Sequence, residues 1–557
     1  MPKISLHTSV FFLIITINVS LAQSVFLPLN TDNYHSVDRF EILSKTLNPS
    51  LFTGIKPYSR QSIGEALSWI DTTINRKQLS KRDIYNINYL KADNWEWLPA
   101  NSPDSIYKSK KKMWNLFFER KAAVYSIDND EVNLQISPIF QFSVGNESGA
   151  KTWQNTRGIE IRGNILKKVG FYTMFTENQI VAPSYVREYH SQNKVLPGEG
   201  HWKPFGTNGI DYISARGYIT FSPVKPMMLT FGHDKTFVGS GVRSVILSDF
   251  SAPTLFLKIN TKIGKVQYQN QFTQLSDYQN YVGKNTIIPR KYMVSHNLGI
   301  NIGEKLNVGL FETVILNRDS GLDLNYLNPI IFYRFVESFV GSPDNTMVGA
   351  NFKYITKMKT SIYGQFLFDE LVAKDLSKNP NRFTNKWAYQ IGAKAIDVLG
   401  IKNLDIQTEY NKARPYTYAH FSTSTNFSNY NQALAHPMGA NFKESASVLR
   451  YQLSNKLIFV GTYINTIYGK DDTSLNWGSN ILLNYDTRVR DEGNYIGQGL
   501  KTRLQFLELR LSHMLIHNMY ADLSLLHRTL KNSKENVSAT IPTLGLRWNL
   551  PYKQIAF

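Results

Sequence analysis

The stretch from Gly232 to Pro253 gathers the densest set of groups fit for chemistry. Gly232, Gly239 and Gly241 stand beside Asp234, Arg243 and Asp249. Glycines at that spacing mark backbone that turns sharply or approaches something closely. It is not a phosphate loop, because no Gly-Lys-Ser/Thr ending leads into a helix. Two chemistries remain for the three charged residues: an ion-pair network bracing an inward-folded loop, or direct contact with a sugar.

Two further blocks add polar and aromatic groups. One runs from Asn328-Pro329 to Tyr333-Arg334, with Asp344-Asn345 and Asp369-Glu370 beyond it. The other runs from Glu409-Tyr410-Asn411 through Arg414-Pro415-Tyr416 to His436-Pro437 and Asn441. Tyr333, Arg334, Glu409, Arg414, Tyr416, His436 and Asn441 suit contact with an acidic, hydroxyl-rich polymer, which rings and cations both grip. Bracing of loops against one another uses the same residues. Signs of catalysis are thin. No Gly-x-Ser-x-Gly elbow and no His-Glu-x-x-His occurs. Asp369 and Glu370 would point to opposite faces of a strand, and His513 and His517 read as strand-surface residues. We expect no enzyme, no cofactor and no metal.

The elements that must position these residues are strands. Leu255, Leu257 and Ile259 alternate with Phe256, Lys258 and Asn260. Ile362, Phe366 and Phe368 share a face against Tyr363, Gln365 and Asp369. Leu404 and Ile406 oppose Asp405, Gln407 and Glu409, and Leu523 and Leu525 oppose Asp522 and Ser524. Near the C-terminus Leu544, Leu546, Trp548 and Leu550 lie opposite Gly545, Arg547 and Asn549. A soluble sandwich shows the same period, so the chain ends decide. An apolar run from Val10, with Ser20-Leu21-Ala22 after it, reads as an export signal cleaved before Gln23. Phe557, an aromatic last residue following the final strand, has the form read by outer-membrane assembly machinery. Past the signal no apolar run reaches the length of a spanning helix, and a spanning chain without helices must close into a barrel.

The expected organisation is all-β: a transmembrane outer-membrane β-barrel of antiparallel strands over 126–557, behind a small N-terminal helical periplasmic domain and linker at 23–125 and the signal at 1–22. Ser62 with Glu65 has capping-box spacing, and Ser80 with Asp83 repeats the device, so two helices should form a hairpin. The strand region has room for 16 to 18 strands, at roughly 10 residues each plus connections. Polar stretches near 180–208, 276–290, 372–385, 411–444 and 470–495 read as extracellular loops. Tyrosine contributes 31 residues and aromatics 13% of the chain, which suits membrane-interface girdles. Cysteine is absent and the formal net charge is +19. The first excludes disulfides and a lipid-anchored start. The second fits an acidic partner or a solvated basic surface equally. Lys110, Lys111 and Lys112 beside Trp114 suit either a membrane interface or an exposed linker. No nucleic-acid-binding module is present.

The three blocks, the helical hairpin and the barrel-like remainder together resemble the Wzi-type capsule-assembly proteins, in the Bacteroidota branch that also holds RemB-like gliding-motility proteins. The resemblance implies an 18-stranded outer-membrane barrel whose lumen is largely closed by loops and whose outer face attaches capsular polysaccharide. The expected function is therefore non-enzymatic binding or organisation of exported acidic polysaccharide or lipopolysaccharide at the cell surface. The alternatives are an outer-membrane subunit of a gliding-motility or secretion apparatus, with protein partners, and a saccharide diffusion channel.

Overall fold

The computed structural model describes residues 24–557 except 100, 111–112, 114–116, 284–285, 319–320, 331, 342–343, 370–377 and 472–473. The expected signal, Gln23, Lys111, Lys112, Trp114 and Glu370 lie outside the described residues.

Eighteen antiparallel strands close on themselves. They are β1 Val132–Glu147, β2 Ala150–Ile165, β3 Val169–Val181, β4 Gly209–Val224, β5 Met227–Asp234 and β6 Thr254–Ile263. Then come β7 Val266–Ser276, β8 Arg290–Ile302, β9 Leu306–Leu316, β10 Asn345–Ile355, β11 Thr360–Asp369 and β12 Lys386–Ala395. The last are β13 Leu404–Ala413, β14 Phe442–Gln452, β15 Leu457–Lys470, β16 Leu500–Ile516, β17 Met519–Lys531 and β18 Asn536–Trp548. β18 pairs with β1, Leu544 facing Val144 and Trp548 facing Phe140, which completes the ring. Sequence alternation sets the two faces. Phe231, Leu523 and Leu544 are 53%, 56% and 59% exposed outside, while Asp522 and Arg547 are buried inside and pair at 2.7 Å. An apolar exterior around a polar interior is the pattern that lipid selects.

One mouth carries tight turns such as 225–226 and 264–265, and the other carries long loops such as 182–208 and 414–441. The helical region packs into the short-turn mouth. Helices α1 Asp32–Ser44, α2 Arg60–Thr73 and α3 Lys81–Asp93 bury Phe40, Leu67 and Leu90 against one another. The Ser80–Asp83 capping box forms, but α2 is capped by Ser59 rather than Ser62. Arg39 joins α1 to α3 and to the barrel, with Asp83 at 2.7 Å, Asp397 at 2.7 Å and Asp405 at 2.6 Å. Burial disfavours the Arg39 charge, yet these carboxylates hold its pKa above the ordinary arginine value. Lys353, pointing inward from β10, reaches Asp38 at 3.0 Å and Glu41 at 2.5 Å. The helices thus cork the barrel.

The chain end departs from the expectation for Phe557. β18 stops at Trp548, and the tail turns into the lumen instead of ending on the wall. Leu550 packs inward beside Val25 and Ile139, so it does not share the outer face of Leu544. Phe557 ends against Tyr189, with ring centroids 4.7 Å apart, and Arg528 Nε donates to its carbonyl at 3.2 Å. The tail has several inward-pointing side chains to hold it, among them Glu508, which accepts from the Tyr552 hydroxyl at 2.6 Å.

Candidate functional site

An 18-stranded barrel leaves an aqueous bore unless something fills it. Here residues 235–253 fold inward from the end of β5. Val245, Ile246 and Leu247 are buried against Met293, Phe311, Ile315 and Leu367, which point inward at the long-loop end of their strands. Gly239 has φ 122°, and a Cβ there would lie 2.2 Å from Gln365 Nε2. Only glycine fits. Gln365 clamps the turn on both sides, donating to Val238 O at 2.7 Å and accepting from Val245 N at 3.0 Å. From below, Ile55–Lys56 pairs antiparallel with Phe237–Val238. Plug and helical domain therefore meet inside the barrel.

The plug tip is an anion-to-amide clasp. Glu409 accepts from Val242 N at 2.7 Å, Arg243 N at 2.9 Å and the Tyr363 hydroxyl at 2.9 Å. Arg243 Nε donates to Glu444 at 3.2 Å, and its Nη2 donates to the Ala556 carbonyl of the C-terminal tail at 2.5 Å. Glu444 also takes His436 Nε2 at 3.0 Å and Thr466 Oγ1 at 3.0 Å. Burial lowers the His436 pKa despite the carboxylate beside it.

The structure separates Asp234, Arg243 and Asp249 instead of joining them in one network. Asp234 lies 3.7 Å from Arg216, Arg243 pairs with Glu444, and Asp249 accepts from Asn30 at 2.5 Å. β5 ends at Asp234, so the three leave the wall on different parts of the loop. Glu409, His436 and Arg243 do come together. Arg414, Tyr416 and Asn441 brace the neighbouring loops 414–441 and 471–499. The Tyr416 hydroxyl donates to Asn476 O at 3.0 Å, and Asn441 Nδ2 donates to Gln498 O at 3.0 Å. Arg414 Nη2 reaches Asn494 O at 3.4 Å.

Tyr333 and Arg334 are neither loop-face nor lumen residues. They open helix α5 Tyr333–Phe339, following α4 Ser184–Asn193 in chain order, and α5 lies on the outer wall. There Asn270, His296 and Glu312 form one cross-strand row on the lipid side of β7, β8 and β9. Tyr333 is fully buried over His296, with ring centroids 3.9 Å apart, and Glu312 accepts from Arg334 N at 3.0 Å. Arg334 itself turns outward to Glu337. His517 departs from the surface reading as well: it stacks on Tyr89 at 4.3 Å and lies 3.5 Å from Asp93.

Sequence reasoning missed Glu444, Gln365 and Gln390, which hold the plug from the wall. Their signal was an inward slot in the alternation, since Glu444 sits two residues after Phe442 on the same face. It also missed Arg216, Lys235 and Arg510 around the cavity under the plug. Burial pushes the Lys235 ammonium down to about 8, and the charge of Arg216 adds to the effect. Among the described residues no group of three or more His, Asp or Glu side chains is placed to hold a metal ion.

The sequence matches no family model and no curated protein sequence. Solved structures do match. Wzi of Escherichia coli, described as an outer membrane protein involved in group 1 capsule assembly and a carbohydrate-binding β-barrel, superposes with a TM-score of 0.56 at 12% identity, over 96% of this chain and 100% of that one. OprD of Pseudomonas aeruginosa gives 0.41 at 11% identity, over 74% of this chain and 94% of that one. OpdK of the same organism, solved with vanillate, gives 0.43 at 9% identity, over 74% and 98%. Likeness at the level of Wzi is likeness of fold, and the two lower scores carry no further argument. The chain shares with that protein the fold of an 18-stranded antiparallel β-barrel.

Proposed function

We propose that this protein is a non-enzymatic barrel of the bacterial outer membrane that holds exported acidic polysaccharide at the cell surface. Short turns face the periplasm in such barrels and long loops face outward, so the corked mouth is periplasmic in this reading. One observation carries it: the plugged lumen lies beneath a loop face that presents an aromatic trio. Tyr278 lies 5.2 Å from Tyr281 and 5.6 Å from Tyr430, and none of the three rings is fully buried. Partly open rings stack on sugar C–H faces, and the excess of cations draws an acidic polymer. The carbohydrate binding stated for Wzi supports the same ligand class.

The test is binding of the purified barrel to its cell's own exported polysaccharide across a salt series. Binding should weaken as salt rises, because screening reduces charge contacts, and should fall in Tyr278→Ala and Tyr430→Ala. No binding at any salt, with motility or secretion proteins co-purifying, would replace this reading by an apparatus subunit. A large steady conductance would replace it by a saccharide channel.

A further inference from the structure

Three cavities stand in line between the short-turn mouth and the underside of the plug. The first, about 710 Å³, is a groove between α3, the linker and the barrel rim. The second, about 100 Å³, shares Tyr89, Ala122 and Asn549 with the first. The third, about 430 Å³, shares Asn30, Thr31, Arg510 and Tyr552 with the second and ends beneath Val242, Arg243 and Pro437. Its volume is that of an ordinary small-ligand site.

The third cavity has a densely charged wall. Five cationic side chains, Arg216, Lys235, Arg243, Arg510 and Lys553, face it against three carboxylates, Glu199, Asp249 and Glu508. Most of these charges are already engaged: Lys553 pairs with Glu199 at 2.8 Å, Arg243 with Glu444 at 3.2 Å, and Arg216 lies 3.7 Å from Asp234, while Glu508 accepts from Tyr552 and Gln554. Arg510 is 8% exposed and stacks on Tyr552 at 4.0 Å. Its Nη1 is buried without a hydrogen-bond partner, as are Arg216 Nε and Gln141 Oε1. Buried guanidinium donors left open are costly unless something fills them. Around them stand Thr176, Asn178 and Ser214, together with the rings of Tyr212 and Phe250. Donor forks, hydroxyls, amides and rings on one wall suit an anionic, hydroxyl-rich ligand.

We propose that this line of cavities is a blind tunnel that binds the carboxylate-bearing end of a saccharide chain arriving from the short-turn mouth. The saccharide class rests on the function proposed above, whereas the anion site rests on the arginine geometry alone. Arg510 and Arg216 take the carboxylate, Gln141 takes a hydroxyl, and Ala122 marks the neck.

The experiment titrates the purified full-length barrel with trigalacturonate, with neutral maltotriose and with inorganic phosphate. Trigalacturonate should bind and maltotriose should not. Arg510→Gln and Gln141→Met should each weaken trigalacturonate about tenfold, the loss of one strong polar contact, and the outward-facing Arg503→Gln should leave it unchanged. Ala122→Trp should slow association. Unchanged affinity in Arg510→Gln and Gln141→Met overturns the site, and an unchanged association rate in Ala122→Trp overturns the route. Binding of phosphate without trigalacturonate overturns the saccharide assignment. If trigalacturonate fails while the exported polymer still binds, the tunnel falls and the loop-face reading stands; if both fail, both fall.

Discussion

Arg243 ties the plug tip to the wall through Glu444 and to the tail through Ala556. Replacing it with Ala leaves Glu444 buried without its cationic partner, since burial keeps the neighbouring His436 neutral, a loss of order 3 kcal/mol for a broken buried pair. In a planar bilayer the native barrel should be nearly silent and Arg243→Ala should conduct, and equal traces from both would refute the clasp. Arg39 is the corresponding point at the other mouth. Arg39→Met takes the guanidinium from the buried Asp83 and Asp405, while Asp397 keeps Lys359 at 2.8 Å, so limited proteolysis should release the helices while the barrel survives. Glu96 sets a pH response. Burial raises its pKa from 4.5 to about 7, so the folded helical domain keeps a proton there that the unfolded chain has released. Stability of that domain should therefore fall as pH rises from 4.5 to 7, by up to about 3 kcal/mol. Glu96→Gln should flatten the profile of the helical circular-dichroism melt, and a slope that persists would assign the effect elsewhere.

Among the elements, the outer-wall cap is the least expected. The row Asn270, His296 and Glu312 sits about 15 Å from either end of β8, by strand rise and tilt, which is acyl depth. Polar groups at that depth are costly in lipid, and the segment before α5 shields them: Tyr268 and Asn270 both donate to Pro329 O, at 2.6 and 3.0 Å. The cap in turn shows Phe335 and Phe339 to the outside. Phe335→Trp should fluoresce from an apolar setting and be quenched by brominated acyl chains, while an unquenched, water-like spectrum would place the cap off the membrane. Nothing in the pattern of 333–339 announced this, because its large apolar residues fall on both faces, Tyr333 and Val336 toward the wall and Phe335 and Phe339 away. α1 was hidden for a related reason. Asp38, Arg39 and Glu41 are buried as fully as Phe40 and Ile42, so no apolar stripe marks the helix. The strands, by contrast, were plain wherever one face meets lipid. Leu523–Ser524–Leu525 and Ile362–Tyr363 read correctly residue by residue. The site was only partly legible: glycine spacing marked residues 232–253, but pairing of Arg243 with Glu444 joins positions 201 apart in sequence, a distance no local pattern encodes.

For the whole molecule, a closed wall with an apolar outside predicts an integral protein. It should sediment with outer membranes, resist carbonate and high salt, and migrate differently in detergent gels before and after heating. Leu544→Asp, on the lipid face, should impair insertion by up to a few kcal/mol depending on depth, whereas full extraction by carbonate would contradict the barrel. The two-residue ladder between Ile55–Lys56 and Phe237–Val238, with Gly239 N donating to Gly54 O at 2.7 Å, also makes the molecule a mechanical linkage. Tension applied to the helices at one mouth runs along that ladder and draws on the stopper near the other. A pull at the short-turn mouth would then uncork the bore without any ligand. Under single-molecule force, detachment of the helices and a step in ionic current should coincide, and detachment with the current unchanged would show the two ends to be mechanically independent.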